Sequence, residues 1–320
     1  MPAFRLHAAV CLALCAWAST GAAEEVKKAD AAERCFLWRA TSDSNTVYLL
    51  GSVHVGTDEF YPLPKEIQDA FAAAKYLVVE SDPEKTPLAT RQKLATENCT
   101  YKDEDRLSQH LSKETLELYD AHAAKNGLPA ASEQKTRAWM LAGMILNTEA
   151  QKLGYKNERG IDRYFLGEAR GKKEIIGLET TEALINMLSS FPDELDDLRL
   201  RIAIAELGEL KEHLARAVGA WKNGDTKTLE EELTTKPLAR HPELAAVFVK
   251  LRDERNVRMA EKIDGYLKEK DGYFVVVGAA HLIGEKSVLK LLENKNYKIA
   301  QIRRTDSAKQ DAPEKTTNTP

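Results

Sequence analysis

The sequence predicts an α/β protein: a mixed sheet built from two related strand–GxxH–helix–strand halves, with a helical insertion as a cap. Two matching stretches carry that expectation. Val47-Tyr48-Leu49-Leu50 runs into Gly51 and then His54; near the other end, Tyr273-Phe274-Val275-Val276-Val277 runs into Gly278 and then His281. Both are short apolar runs rich in β-branched or aromatic residues, the pattern of buried strands. Each closes on a glycine, which admits a close backbone approach. Each is followed by a helical stretch and another apolar run. The third observation is negative: from about 190 to 268 nothing reads as a strand, so a helical segment separates the two units.

At the N-terminus Arg5 precedes an apolar run from Leu6 to Ala18, and the small residues Ser19 to Ala23 follow. That is an export-signal pattern over residues 1–23, with cleavage after Ala22 or Ala23. The mature chain is expected to be periplasmic or extracellular, with no stable transmembrane anchor. Cys11 and Cys15 would leave with the signal. Cys35 and Cys99 remain, and in an oxidising compartment they are expected to pair as a disulfide; two separate thiols are the alternative.

Cys35 to Ala40 reads as a strand, Ser42 to Asn45 as a turn, and Thr46 to Leu50 as the partner strand. Lys65 to Lys75 is amphipathic, with Ile67, Ala70, Phe71 and Ala74 on one face. Tyr76 to Val79 is a strand that ends at Glu80. Strand–helix–strand from His54 to Glu80 predicts a parallel pair with a right-handed crossover, so Glu80 reaches the sheet edge that bears His54. A solvated loop carboxylate is the alternative. Residues 84 to 157 are helical, with Ser132 as the cap of a long helix to Leu153. Gly160-Ile161-Asp162 opens the next helix, and Glu174 to Leu178 is a strand that again ends in a carboxylate, Glu179. Asp193 to Trp221 and Glu243 to Lys268 are helical. His110, His122 and His213 are assigned to polar or solvated helix faces. The folded domain spans 24–304, with residues 190–268 as the cap, and the polar segment 305–320 is expected to be disordered.

The 320 residues are 43% hydrophobic and 30% charged with a formal charge of −4, which suits a globular protein with a sizeable core. The mild acidity gives no electrostatic basis for nucleic-acid binding. Neither mature cysteine lies in a CxxC pair, so redox catalysis and a zinc knuckle are not expected. HExxH and GxSxG are both absent, which excludes the usual zincin helix and the nucleophile elbow. Open α/β sheets gather ligands beyond the carboxyl ends of their strands. Two of only seven histidines fall there, at the same offset from a glycine, and this predicts a shared site.

The chain resembles the TraB/GumN family, which is similar to the animal Tiki proteins. The resemblance covers about Phe36 to Ile302. It rests on Leu49-Leu50-Gly51-Ser52-Val53-His54-Val55-Gly56, Leu77-Val78-Val79-Glu80, Gly160-Ile161-Asp162, Gly177-Leu178-Glu179-Thr180, Arg255-Asn256 with Met259-Ala260, and Val277-Gly278-Ala279-Ala280-His281-Leu282-Ile283-Gly284. One departure is visible: Leu184 stands where the family often has a glutamine. The resemblance implies an α/β fold of two related halves, akin to the haem-binding ChaN and erythromycin-esterase folds. It implies a site at His54, Glu80 and His281, with Gly51, Gly278, Asp162 and Asn256 in supporting motif positions. Tiki proteins are described as metal-dependent proteases that favour manganese or cobalt, and some bacterial members are linked to the shutdown of peptide pheromones. Peptide or protein substrates are therefore expected.

The chemistry of these residues is compatible. Imidazole and carboxylate suit a divalent metal, with Mn or Co expected ahead of Zn. Glu179, at a third strand end, is the candidate general base. Arg255 is the candidate for holding a substrate carboxylate or a developing oxyanion; taken without the resemblance, it reads as a helix-surface arginine. The function expected is a metal-dependent hydrolase, a peptidase. Two alternatives stand beside it: a non-catalytic peptide- or haem-binding protein on the same fold, and a metal-free His/Glu esterase.

Overall fold

β1 (Arg34–Thr41) and β2 (Thr46–Ser52) form an antiparallel hairpin across the Ser42–Asn45 turn. The Ser42 hydroxyl accepts the Asn45 amide at 2.9 Å, a local bond that competes with strand pairing and so fixes the turn. In the computed structural model residues 34–305 are described. The expected export signal and the tail after Thr305 lie outside them. Thr305 itself donates its amide and hydroxyl to Glu66, both at 2.6 Å.

The chain continues through α1 (Lys65–Ala73), β3 (Tyr76–Val79), α2 (Leu88–Cys99), α3 (Lys113–Asn126), α4 (Ala138–Lys152), α5 (Ile161–Ala169) and β4 (Glu174–Gly177). Then come α6 (Thr181–Leu188), α7 (Asp193–Ala205), α8 (Leu210–Lys222), α9 (Thr226–Glu230), α10 (Lys236–Arg240), α11 (Ala245–Phe248) and α12 (Glu254–Lys268). β5 (Tyr273–Gly278), α13 (Val288–Glu293) and β6 (Lys298–Arg303) close the fold. Two π-helical turns, Glu231–Thr235 and Val249–Asp253, interrupt the helical run before α12.

The sheet has six strands in the order β4-β3-β5-β2-β1-β6. β4, β3, β5 and β2 are parallel neighbours, and β1 is antiparallel to both β2 and β6. β2 and β3 are therefore parallel, as expected, but they are not adjacent. β5 lies between them, because its six residues are buried along their whole length and such a strand belongs in the sheet centre. Register places Ser52 opposite Gly278, and Val79 opposite both Val276 and Gly177. The carboxyl ends of β2, β3, β4 and β5 thus share one sheet edge.

The main core packs around this sheet, with Phe36, Leu49, Leu50, Phe165, Phe274 and Met259 all buried. Two further clusters lie among the helices: one joins α3, α4, α7 and α8, the other joins α2, α4, α6, α7 and α11. No helix of the described residues is long and apolar enough to cross a membrane.

Three expectations need correction. Cys35 and Cys99 are both free thiols rather than a disulfide. Cys35 lies on β1 in the sheet core and Cys99 ends α2 in a helical cluster, so each is buried in separate packing. Ser132 does not cap α4, which begins at Ala138 after Arg137. The backbone before it is used elsewhere: the Lys135 carbonyl accepts from the Tyr101 amide at 2.7 Å and that of Gln134 from the Leu107 amide at 2.9 Å. Nor is His213 on a solvated face. It is buried in α8, with Nδ1 3.2 Å from Glu232 Oε2.

Candidate functional site

Four strand ends deliver the side chains. His54 follows β2 by two residues, Glu80 follows β3 directly, Glu179 follows β4 by two, and His281 follows β5 by three. Gly278, the last residue of β5, is where three of them meet. A Cβ there would lie 3.0 Å from Glu80 Oε1, 3.3 Å from His54 Nε2 and 3.6 Å from His281 Cδ2. The Gly278 amide also donates to Glu80 Oε1 at 2.5 Å. The glycine offset that marks both histidines therefore has a cause at this end: any larger residue would enter the space that Glu80 and His54 share. Gly51 serves packing instead. A Cβ on it would collide with the Phe36 ring, and its carbonyl accepts the buried Trp221 indole at 2.6 Å, which ties α8 to β2.

α12 supplies the cation. Arg255 is buried, and its Nη2 lies 2.5 Å from Glu80 Oε2 and 2.7 Å from Glu179 Oε2. Its Nη1 is 3.1 Å from His281 Nε2 and donates to the Leu251 carbonyl, also at 3.1 Å. Arg255 is thus no surface residue; it holds two strand-end carboxylates and a histidine together. Three residues further along α12, the half-exposed Arg258 reaches Glu179 Oε1 at 3.4 Å.

Each histidine has a partner behind it. His281 Nδ1 lies 2.6 Å from Asn256 Oδ1, so the ring proton sits on Nδ1 and the Nε2 lone pair faces the site. Asn256 is fully buried and is itself fixed by donating to the Lys286 carbonyl at 2.8 Å. His54 Nδ1 lies 3.3 Å from Asp162 Oδ1, at the start of α5. Of the two positions that the sequence marks only as motif-supporting, Asn256 orients its ring by a hydrogen bond, and Asp162 stands beside His54 as an ion-pair partner.

Burial pushes the Glu80 carboxyl up, but Arg255, His281, His54 and the Gly278 amide outweigh it and hold it well below the usual carboxylate range. Burial lowers Arg255, yet Glu80 and Glu179 outweigh that and push it further up, so it stays charged. Burial lowers His281 to about 3 despite Glu80, and Arg255 adds to the shift, so the ring is neutral at physiological pH.

Two imidazoles and one ionised carboxylate form a donor set suited to a divalent transition metal. As they stand, no three His, Cys, Asp or Glu side chains among the described residues form a ligand cage. At this edge Arg255 engages the His281 Nε2 and one Glu80 oxygen.

Other features escape the sequence pattern. Asp82, two residues past Glu80, is buried and takes both Nη atoms of Arg170, at 2.6 and 2.9 Å, which braces the loop that carries Glu80. The buried Ser52 hydroxyl, between Gly51 and His54, has no hydrogen-bond partner among the described residues. Arg255, Arg258 and Lys262 follow a helical i, i+3, i+7 spacing, and that row was the available signal for a basic helix face over the carboxylates.

A family model matches residues 36–301, nearly the whole of the described chain. The chain belongs to the TraB/PrgY/gumN family. The family's span takes in all four strand ends and α12. The chain is similar to the uncharacterized protein YbaP of Escherichia coli (strain K12), 27% identical over 255 residues that cover 77% of this chain and 87% of the relative. It is also similar to an uncharacterized protein of Treponema pallidum (strain Nichols), 22% identical over 278 residues, 82% of this chain and 81% of that one. No solved structure matches it.

Proposed function

We propose that this member of the TraB/PrgY/gumN family is an exported metal-dependent hydrolase that cleaves peptides or exposed protein termini. The observation that carries the reading is the convergence of His54 Nε2, Glu80 Oε1 and the His281 ring on Gly278, with each Nδ1 facing an oxygen. His54, Glu80 and His281 would hold the metal, with manganese or cobalt ahead of zinc. When bound, a divalent metal polarises a carbonyl and acidifies water.

The protein's own groups do the remaining work. Glu179 lies past the end of β4 with Oε1 towards the half-exposed Arg258, and it is our candidate to accept a proton from attacking water. The half-exposed Arg258 presents donors for a substrate carboxylate or a developing oxyanion, while Arg255 would serve a substrate by releasing one of its protein partners. The apolar N-terminal run supports export, and the family resemblance supports peptide substrates.

A second reading is favoured by one contact. Asp162 behind His54 Nδ1 is the arrangement that orients a histidine general base, with Arg255 as the positive charge at the site. That would be a metal-free hydrolase. Elemental analysis and turnover of a mass-spectrometric peptide library by the purified mature protein, with and without chelator, separate the two. The metal reading expects bound metal and peptide cleavage that chelation abolishes. His54→Ala and His281→Ala should each lose both, and the double variant should be little worse than either. Cleavage that survives chelation would transfer the assignment to the metal-free reading.

A further inference from the structure

We propose that Arg255 is a resident cation of the site, and that its guanidinium and a divalent metal compete for the same donors on Glu80 and His281. The inference rests on the metal-dependent reading and adds a control on how readily that site loads.

The competition follows from the lone pairs. His281 commits Nδ1 to Asn256, so Nε2 is the one nitrogen it can offer a metal, and Arg255 Nη1 stands 3.1 Å from it. Glu80 takes the Gly278 amide on Oε1 and Arg255 Nη2 on Oε2, each at 2.5 Å. A metal that draws on these two residues must displace the guanidinium or accept a positive charge beside it, and either lowers its affinity. Arg255 also has partners outside the contested pair: Nε donates to Glu179 Oε2 at 2.7 Å and Nη1 to the Leu251 carbonyl at 3.1 Å. Leu251 lies in the π-helical turn Val249–Asp253, just before α12. Such turns recur at functional sites because they redirect carbonyls. The guanidinium can therefore give up Glu80 and His281 and still be held. With the metal absent, Arg255 supplies the positive charge that two buried carboxylates need.

The test is titration of Mn2+ alone into wild-type protein, Arg255→Gln and Arg255→Lys, followed by calorimetry, with thermal melts in parallel. Arg255→Gln should bind Mn2+ at least tenfold more tightly than wild type, and Mn2+ should restore the melting temperature that the substitution lowers. Arg255→Lys, which keeps the charge but loses the fork, should fall between. Adding His281→Ala to Arg255→Gln should abolish the gain. If wild type binds Mn2+ and Arg255→Gln binds equally or less tightly, the competition is refuted and the metal reading stands. Absence of Mn2+ binding in all variants overturns both. Should Arg255→Gln fold neither with nor without Mn2+, Arg255→Lys decides: tighter binding than wild type supports the competition, and unchanged affinity refutes it.

Discussion

His281 is held by Asn256 through a 2.6 Å contact between Nδ1 and Oδ1, and both residues are buried. The pair joins the end of β5 to α12, so the same helix that carries Arg255 sets the tautomer of the histidine that Arg255 touches. Asn256→Ala would leave the His281 ring N–H and the Lys286 carbonyl without partners. Lys286 is exposed and its carbonyl can take water, so the buried ring N–H sets the cost, and a loss of about 1–3 kcal/mol is expected by denaturant unfolding. Asn256→Asp keeps an acceptor for the ring. It should retain more stability than Asn256→Ala and raise the His281 pKa, measurable by NMR titration of the ring.

Gly278→Ala tests the crowding at the strand end. The added methyl would press on Glu80 Oε1 and His54 Nε2, at 3.0 and 3.3 Å, and something must shift. Turnover of the peptide library, and metal content, should fall at least tenfold. Gly265→Ala is the control: it lies on an exposed part of α12 with nothing within 4 Å of the new methyl. It should leave turnover unchanged and raise stability by about 0.5–1 kcal/mol. A Gly278→Ala variant with wild-type turnover and metal content would remove the case for convergence at that residue.

The cysteines give a simple chemical check. Burial pushes the Cys99 thiol up to about 12, against the charge of Arg137, and burial also raises Cys35. Thiolate is the reactive form, so both should resist alkylation in the folded protein at pH 8. Both should react after unfolding without reductant. Non-reducing peptide mapping should give two separate thiols, and a linked peptide would contradict the fold.

Much of this site was legible because it sits at strand ends. Short apolar runs that stop at Gly51, Glu80, Glu179 and Gly278 announce their own carboxyl ends, and a parallel sheet brings such ends together. What the sequence could not give was adjacency. Nothing local says that β5 inserts between β2 and β3, since strand order depends on which strand is apolar on both faces. Arg255 was misplaced on composition alone for the same reason: its partners, Glu80 and Glu179, are 175 and 76 residues away. His213 was misread because its helix is dense in charge, while the burying partner, Glu232, comes from a π-helical turn that periodicity does not announce. The disulfide expectation failed because a cysteine count carries no distance.

Two histidines away from the site should give opposite pH signatures. Burial pushes His213 down, and Arg216, Lys236 and Arg240 push it further down; Glu232, its neighbour, is already shared with Arg216 and Lys236. The folded protein keeps His213 neutral while the unfolded chain takes up a proton below about pH 6.5. Unfolded chains then bind more protons than folded ones, so this residue makes stability fall as pH drops, with a limiting slope of about 1.4 kcal/mol per pH unit. His110 runs the other way. Burial would lower it, but its hydrogen bonds to Asp193 and Asp105, at 2.6 and 2.9 Å, outweigh burial and raise it. Its contribution is full below about pH 6.5 and is lost as pH rises through the raised folded value. Urea melts of His213→Gln from pH 7.5 to 4.5 should show a shallower acid loss than wild type. Melts of His110→Gln from pH 6 to 9 should be less stable than wild type at pH 6 and converge towards it at pH 9. If His213→Gln keeps the full wild-type acid slope, the buried neutral histidine is not the source of that slope. A gap between His110→Gln and wild type that does not narrow with pH would likewise rule out the Asp105–His110–Asp193 clamp as a protonated contact.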